Sequence, residues 1–576
     1  MRATPFVVSL MLVLGACSTG GPTLRTPPPP TADLPDPTGP GPFDVVIQGG
    51  RVVDGTGNAW FYADVGIRDD RIEVVAPPGM LQGYDAETRI DAEGMVVAPG
   101  FIDIQSHSRG SFLPGGDGRV VSKVTMGVTT EIMGEGTTNA PSSPDMLEDA
   151  GRAAGHTQFA TFDEWMTAME QHGAGVNFGS FVGASTVRVI GMERRMGEAR
   201  GGEIKAMQAA VRQSMEDGAF GIASALIYPP GNFATTDELV AINEAAAPYG
   251  GVYITHLRSE ADRLLEAIDE AIEIGTRAGL PVEIYHLKAA GRRNWDKAAA
   301  AVQKIDSARA AGVDVQANMY PYTAGSTGLA ACFPPWASAD GLLFENLSSE
   351  EPRARIKREV EADAGDWENL CTLSTAEGTM LLGLTRPENR RFVGRYLSDV
   401  AAELERDWID AAMDLVLAER ADIGTIFFMM SEDNVAMQMR APWMKFGTDA
   451  GGRDPVDATA PVHPRAYGTF ARILGRYVRN EGVITLEDAV RKMTSAVATR
   501  LGIRERGLLA PGYFADVVVF DPETVVDHAT YEDPHRISTG IEHVFVNGVA
   551  VVRDRGVTGA LPGRAVRGPG WRGHWP

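Results

Sequence analysis

The chain has 576 residues, of which 44% are hydrophobic and 22% charged, and its net charge is −23. That length excludes a single small domain and suits two to four structural units around a large core. The acidic balance excludes the basic stripe of a nucleic-acid binder. The three cysteines, Cys17, Cys332 and Cys371, are too few for a disulfide framework or a thiolate metal site.

The chain opens with Arg2 and an apolar run from Phe6 to Leu14, too short to span a bilayer as a mature helix. Leu14-Gly15-Ala16-Cys17 resembles a lipobox, whose cysteine becomes the lipidated N-terminus. Residues 1–17 are therefore expected to be a lipoprotein-type signal segment. They would place the protein at a bacterial cell envelope, facing the periplasm on a lipid anchor. If Cys17 is not lipidated, the protein is secreted or free in the periplasm. Residues 18–42 are rich in Pro, Thr and Gly and are expected to be a semi-extended tether.

From Phe43 the stretches DVVIQGGRVVDGTG, ADVGIRDDRIEVV and TRIDAEGMVVAPG alternate apolar and polar residues between Gly and Asp turns. GYFADVVVFDPETV and IEHVFVNGVAVV repeat the texture near the C-terminus. Residues 43–97 and 496–565 are expected to form one small β domain built from both ends of the chain.

Between them, residues 98–495 alternate strand-like runs with amphipathic helices, as in GVYITH, EADRLLEAIDEAIEIGTRAG and LPVEIYHLK. Repeated β-α units of this total length indicate an α/β fold, an eight-fold TIM-like barrel with insertions. Helix-rich residues 346–410 interrupt the rhythm and are expected to be an insertion over the site.

Several strand-like runs end in a metal-binding side chain. VAPGFIDIQSHS carries His107, GVTTEIMGEG ends near Glu135, GVYITH ends in His256, PVEIYH in His286, and WMKFGTDAGG holds Asp449. Each alone is equally well a satisfied loop residue. Together, at the C-terminal face of a barrel, nitrogen and oxygen donors of this kind suit Zn2+ or a similar divalent metal with an open position for water. An aspartate beside that water can take its proton and deliver it to a leaving nitrogen.

Those residues and the segments THLRSE, HLKAAGRRNW, YPYTAGST, GTDAGG, HPRAYGTFARILGRYVR and GYFADVVVFDP resemble the metal-dependent amidohydrolase superfamily, and within it the D-aminoacylase family. The resemblance runs from about residue 43 to 565. It implies a barrel joined to a small β-sandwich, with His256 and His286 as zinc ligands and Asp449 as catalytic acid/base. It places Lys288, Tyr228, Tyr322 and Ser326 along the substrate pocket, and Arg465 near the site. Lys288 with Tyr228 is expected to hold a substrate carboxylate. The implied activity is hydrolysis of N-acyl-D-amino acids or a related small amide.

Two departures affect the metal. Gln105 stands where the family has the first histidine of a His-x-His pair, and Gly136 where it has a cysteine ligand. Glu135 is taken as the replacement ligand, with Glu131 as the fallback. One tightly held ion is then expected, with His107 a weak ligand or a hydrogen-bond donor, and a second, weak site possible. Cys332 and Cys371 are expected to be reduced packing residues. Two rival functions stay open: a dipeptidase or cyclic-amide hydrolase of the same superfamily, and a membrane-tethered binding protein with a decayed metal site.

Overall fold

The computed structural model describes residues 42–152, 157–193, 195–363, 365 and 367–573. The expected signal segment, Cys17 and the tether up to residue 41 lie outside the described residues. Among the described residues no helix is long and apolar enough to cross a membrane.

Eight parallel strands form the barrel: β1 (Phe101–Asp103), β2 (Val128–Met133), β3 (Asn177–Ser180, resumed at Val182–Gly183), β4 (Gly221–Ala225), β5 (Val252–His256), β6 (Val282–Ile284), β7 (Val315–Met319) and β8 (Met444–Phe446). The strands are short, mostly apolar and buried on both faces, as strands wrapped by helices must be. The β4–β5 register pairs Ala225 with His256, and the β5–β6 register pairs Thr255 with Ile284. Both histidine-bearing strand ends therefore finish at one rim.

The seam between β8 and β1 closes through polar atoms. Asp449 N donates to the Gln105 carbonyl at 2.8 Å, and the Asp103 carboxylate accepts from Thr448 N (2.9 Å), Thr448 Oγ1 (2.6 Å) and Lys123 Nζ (2.7 Å). This seam positions Asp449 against His107. The helix after β5, Leu264–Ala278, shows how the outer ring packs. Leu264, Ala267, Ile268, Ala271, Ile274 and Ala278 form one buried stripe, and Gly279 ends the helix at φ 73°.

The β domain is a nine-stranded sheet with strands from both ends of the chain. Val96–Pro99 runs antiparallel to Val517–Phe520, and Val45, Ile47, Val65, Val97, Val519 and Phe545 share one core. Val96–Pro99 continues through Gly100 directly into β1, which ties the sheet to the barrel.

Between β7 and β8 the chain leaves the barrel. Ala324–Gly328, Thr379–Leu381 and Gly424–Phe428 make an antiparallel sheet whose intervening helices pack on their own core. This insertion is wider than the 346–410 read from the sequence, because its framing strands pair across about 100 residues of chain. Cys332 and Cys371 are joined in a disulfide with a Cα–Cα distance of 5.1 Å. That corrects the expectation of reduced thiols: residues 39 apart in sequence meet only once the insertion folds.

Candidate metal centre

Glu135 follows β2 and sits at the middle of the rim. Its Oε1 lies 3.1 Å from His256 Nδ1 and 3.3 Å from His286 Nε2. Ligand atoms held about 2.0–2.2 Å from a tetrahedral zinc lie about 3.3 Å from one another, so the three groups fit one such ion. Their donor atoms lie within 4.8 Å of one another, as do those of a second group, His107, Glu135 and Asp449. Oxygen and imidazole donors are the set that zinc and its divalent neighbours take.

Backbone strain marks the same place. His286 and Asp449 have φ of 30° and 50°, in the left-handed region that non-glycine residues rarely occupy. Both stand just beyond a strand end, and both aim their side chains into the cavity.

Glu131, the fallback ligand, is fully buried at the Lys123 ammonium (2.9 Å). It neutralises that lysine beneath the rim and takes no part in the cluster. Gln105 donates Nε2 to Glu135 Oε2 at 2.7 Å, while its Oε1 is buried without a partner. Burial pushes the Glu135 carboxyl up, but the facing His286 and the hydrogen bonds from both imidazoles outweigh it and hold the group well below the usual range.

Asp449 bridges two partners. Its Oδ1 lies 2.9 Å from His107 Nε2, and its Oδ2 lies 2.8 Å from Arg465 Nη1. Burial raises its pKa, but the Arg465 guanidinium more than offsets this and keeps the carboxylate ionised. Arg465 begins a buried helix, Arg465–Arg472, stacks over Tyr320 at 4.7 Å and keeps Nε buried with no partner.

A cavity of about 370 Å³ opens above the cluster. Tyr228, Ser326, Lys288 and Arg465 all line it, with Tyr320 and Thr327. Tyr228 packs edge-on against His256 at 5.5 Å, and burial raises its pKa far enough to keep the phenol protonated. Two expectations need correction. The Lys288 ammonium is bonded to both oxygens of Glu260, at 2.7 and 2.8 Å, so its charge is already neutralised. Tyr322 does not line this cavity but lies behind the wall beneath Arg472; Tyr320, the first residue after β7, takes the lining position.

Glu260 is the residue that sequence reasoning passed over. Its carboxylate lies 2.9 Å from His286 Nδ1 and 3.5 Å from His256 Nε2, on the far side of both rings from Glu135. His286 thus turns Nε2 to the cluster and Nδ1 to Glu260 and to the Lys288 ammonium, 2.7 Å away. A carboxylate behind a ligating histidine fixes the tautomer and the ring plane. The spacing His256-x-x-x-Glu260 was the available signal.

A parallel barrel with acid, imidazole and aspartate side chains gathered at the C-terminal rim defines a metal-dependent hydrolase of the amidohydrolase type. The Amidohydrolase family model matches residues 433–552. D-aminoacylase of Alcaligenes xylosoxydans xylosoxydans is 34% identical over 533 residues, covering 91% of this chain and 98% of that protein. A D-aminoacylase structure solved to define the functional role of its binuclear metal centre is 34% identical, with TM-score 0.76 over 91% of this chain and all of that one. N-acyl-D-glutamate deacylase from Bordetella bronchiseptica, solved with zinc and a phosphonate inhibitor, is 32% identical, with TM-score 0.77 over the same shares. The chain belongs to the D-aminoacylase family of amidohydrolases.

Proposed function

We propose that this protein hydrolyses the amide bond of N-acyl-D-amino acids. The single observation that carries the reading is Glu135 facing His256 and His286, with the ionised Asp449 beside them. Glu135, His256 and His286 would hold one Zn2+, while the group of His107, Glu135 and Asp449 offers a weaker second position. His107 is 42% exposed at its side chain, and Gln105 spends its amide on Glu135, so that second position has a single imidazole, an exposed one. An ion at the first position supplies Lewis acidity and a water acidic enough to attack at neutral pH.

The chain's own groups do the rest. Asp449 takes the proton of the attacking water and returns it to the leaving nitrogen. His107 and Arg465 hold that carboxylate in place from either side. The Arg465 guanidinium, at the cavity wall beside Asp449, would receive the substrate carboxylate, the role first expected of Lys288. Both cations lining the cavity already carry a carboxylate, Lys288 that of Glu260 and Arg465 that of Asp449, so neither has an unpaired charge to offer a second, side-chain carboxylate. This favours N-acyl-D-amino acids with neutral side chains over the D-glutamate and D-aspartate derivatives.

Activity on N-acetyl-D-leucine, N-acetyl-D-glutamate, N-acetyl-L-leucine, simple dipeptides and hydantoins tests the reading. Hydrolysis should be fastest for N-acetyl-D-leucine, should vanish on dialysis against a chelator, and should return with zinc. Absence of stoichiometric zinc, with no activity after adding it, would instead favour the binding-protein reading.

The envelope location rests on Leu14-Gly15-Ala16-Cys17. The Cys332–Cys371 disulfide supports it, because disulfides persist in oxidising compartments. Incorporation of labelled palmitate by the wild type but not by Cys17→Ser is the test.

A further inference from the structure

The insertion reaches back to the metal cluster through the Glu368 side chain. Glu368 stands just before the short helix Leu370–Ser374. Its mount is firm. Asn369 caps that helix by accepting from Thr372 N at 3.2 Å, and Cys371 in the first turn is joined to Cys332. Leu370, two residues on, lines the cavity above the cluster.

Glu368 Oε1 accepts from three donors of the loop after β5: Ser259 Oγ at 2.7 Å, Ala261 N at 2.8 Å and Glu260 N. Ser259 Oγ in turn accepts from Arg263 N at 3.2 Å, and Ala261 packs into the insertion's core. The Glu260 carbonyl accepts from Ala290 N at 2.8 Å, in the loop after β6. The backbone of Glu260 is thus held from both ends, its N–H by the insertion and its carbonyl by the barrel. Its carboxylate meets His286 Nδ1 at 2.9 Å, Lys288 Nζ at 2.7 Å and His256 Nε2 at 3.5 Å. Contacts of this length do not survive a backbone shift of about 1 Å, so the carboxylate orients the two rings only as well as its own backbone is fixed.

We infer that Glu368 is a positioning residue for the metal centre: it fixes the Glu260 backbone, and through it the carboxylate behind His256 and His286, so the insertion helps to set how tightly the ion is held. The role needs an acceptor oxygen and not a charge, because the three partners are neutral donors. The inference rests on the metal site of the reading above.

The test measures zinc affinity by chelator competition, with a thermal scan of each protein. Glu368→Ala should weaken zinc about 10-fold, the lower end of what a supporting residue contributes. Glu368→Gln keeps an acceptor oxygen and should stay within about 3-fold of the wild type. Val360→Ala opens a void in the insertion's core without touching these hydrogen bonds. It should lower the melting temperature and leave zinc affinity within about 2-fold. Adding Glu368→Ala to Glu260→Gln should cost no more than about 2-fold beyond Glu260→Gln alone, because the one acts through the other. Ser259→Ala, which removes one of the three donors, is the second variant should Glu368→Ala fail to fold, with an expected loss of about 3-fold. Unchanged affinity in Glu368→Ala, an equal loss in Glu368→Gln or Val360→Ala, or additive losses in the double variant overturns the inference. Hydrogen exchange on the metal-free protein reads the contact without the ion. Glu368→Ala should speed exchange of the Glu260, Ala261 and Ala290 amides about 10-fold, and Val360→Ala should not. If the wild type takes up no zinc, the metal reading falls, and unchanged exchange at those three amides overturns the positioning role by itself.

Discussion

Gln105 donates its side-chain amide to Glu135 Oε2 at 2.7 Å, which leaves Oε1 facing His256 and His286. The Gln105 amide thus orients the carboxylate that faces both histidines. Glu135→Ala should bring zinc well below stoichiometric, while Gln105→Ala should keep the ion but weaken it by about 10-fold. Gln105→His should instead raise the metal content from about one ion towards two. Elemental analysis of dialysed protein reads all three.

Glu260 ties His256 and His286 to Lys288. Glu260→Gln removes the charge behind both imidazoles and leaves the Lys288 ammonium buried without its counter-ion. Zinc affinity should fall about 10- to 100-fold, and the melting temperature should drop as well, because an unpaired buried charge is strongly destabilising. Chelator competition and a thermal scan measure the two effects independently. Unchanged zinc affinity would remove Glu260 from the metal centre.

The Cys332–Cys371 disulfide closes a loop of about 39 residues inside the insertion. Constraining a loop of that length in the unfolded chain is worth about 4 kcal/mol. Cys332→Ser with Cys371→Ser should therefore unfold at clearly lower urea, with the insertion losing protease resistance before the barrel. Equal urea midpoints for the two proteins would contradict this.

Much of this architecture is legible in the sequence, and the remainder fails for identifiable reasons. Runs such as GVYITH and PVEIYH announce buried strands through β-branched and aromatic residues, and their terminal histidines converge because parallel register brings strand ends together. The choice between Glu131 and Glu135 is not local. It is decided by Lys123, which reaches Glu131 from a neighbouring segment of the seam. The partner of Lys288 lies 28 residues earlier, at Glu260, so the lysine looks free in the sequence and is not. The insertion's edges escape notice because antiparallel strands about 100 residues apart carry no periodic signal of their pairing.

Glu368 reaches from the insertion to the loop after β5, where its Oε1 accepts from Ser259 Oγ at 2.7 Å and Ala261 N at 2.8 Å. Burial, with the nearby Glu260 charge, raises its pKa to about 7 from an ordinary 4.5. The folded state therefore binds more protons than the unfolded state between those values, and stability falls as pH rises through that window. Glu368→Gln should flatten the decline in melting temperature between pH 5 and pH 7.5. A parallel decline in both proteins would exclude Glu368 as its source.

Asp449 is flanked by His107 and Arg465 and is the proposed carrier of the proton between water and leaving nitrogen. The most direct measurement is kcat of the zinc-loaded Asp449→Asn protein on N-acetyl-D-leucine, with its zinc content determined on the same sample. A loss of about 10³-fold or more is expected at unchanged stoichiometric zinc. Retained activity with the metal in place would contradict it.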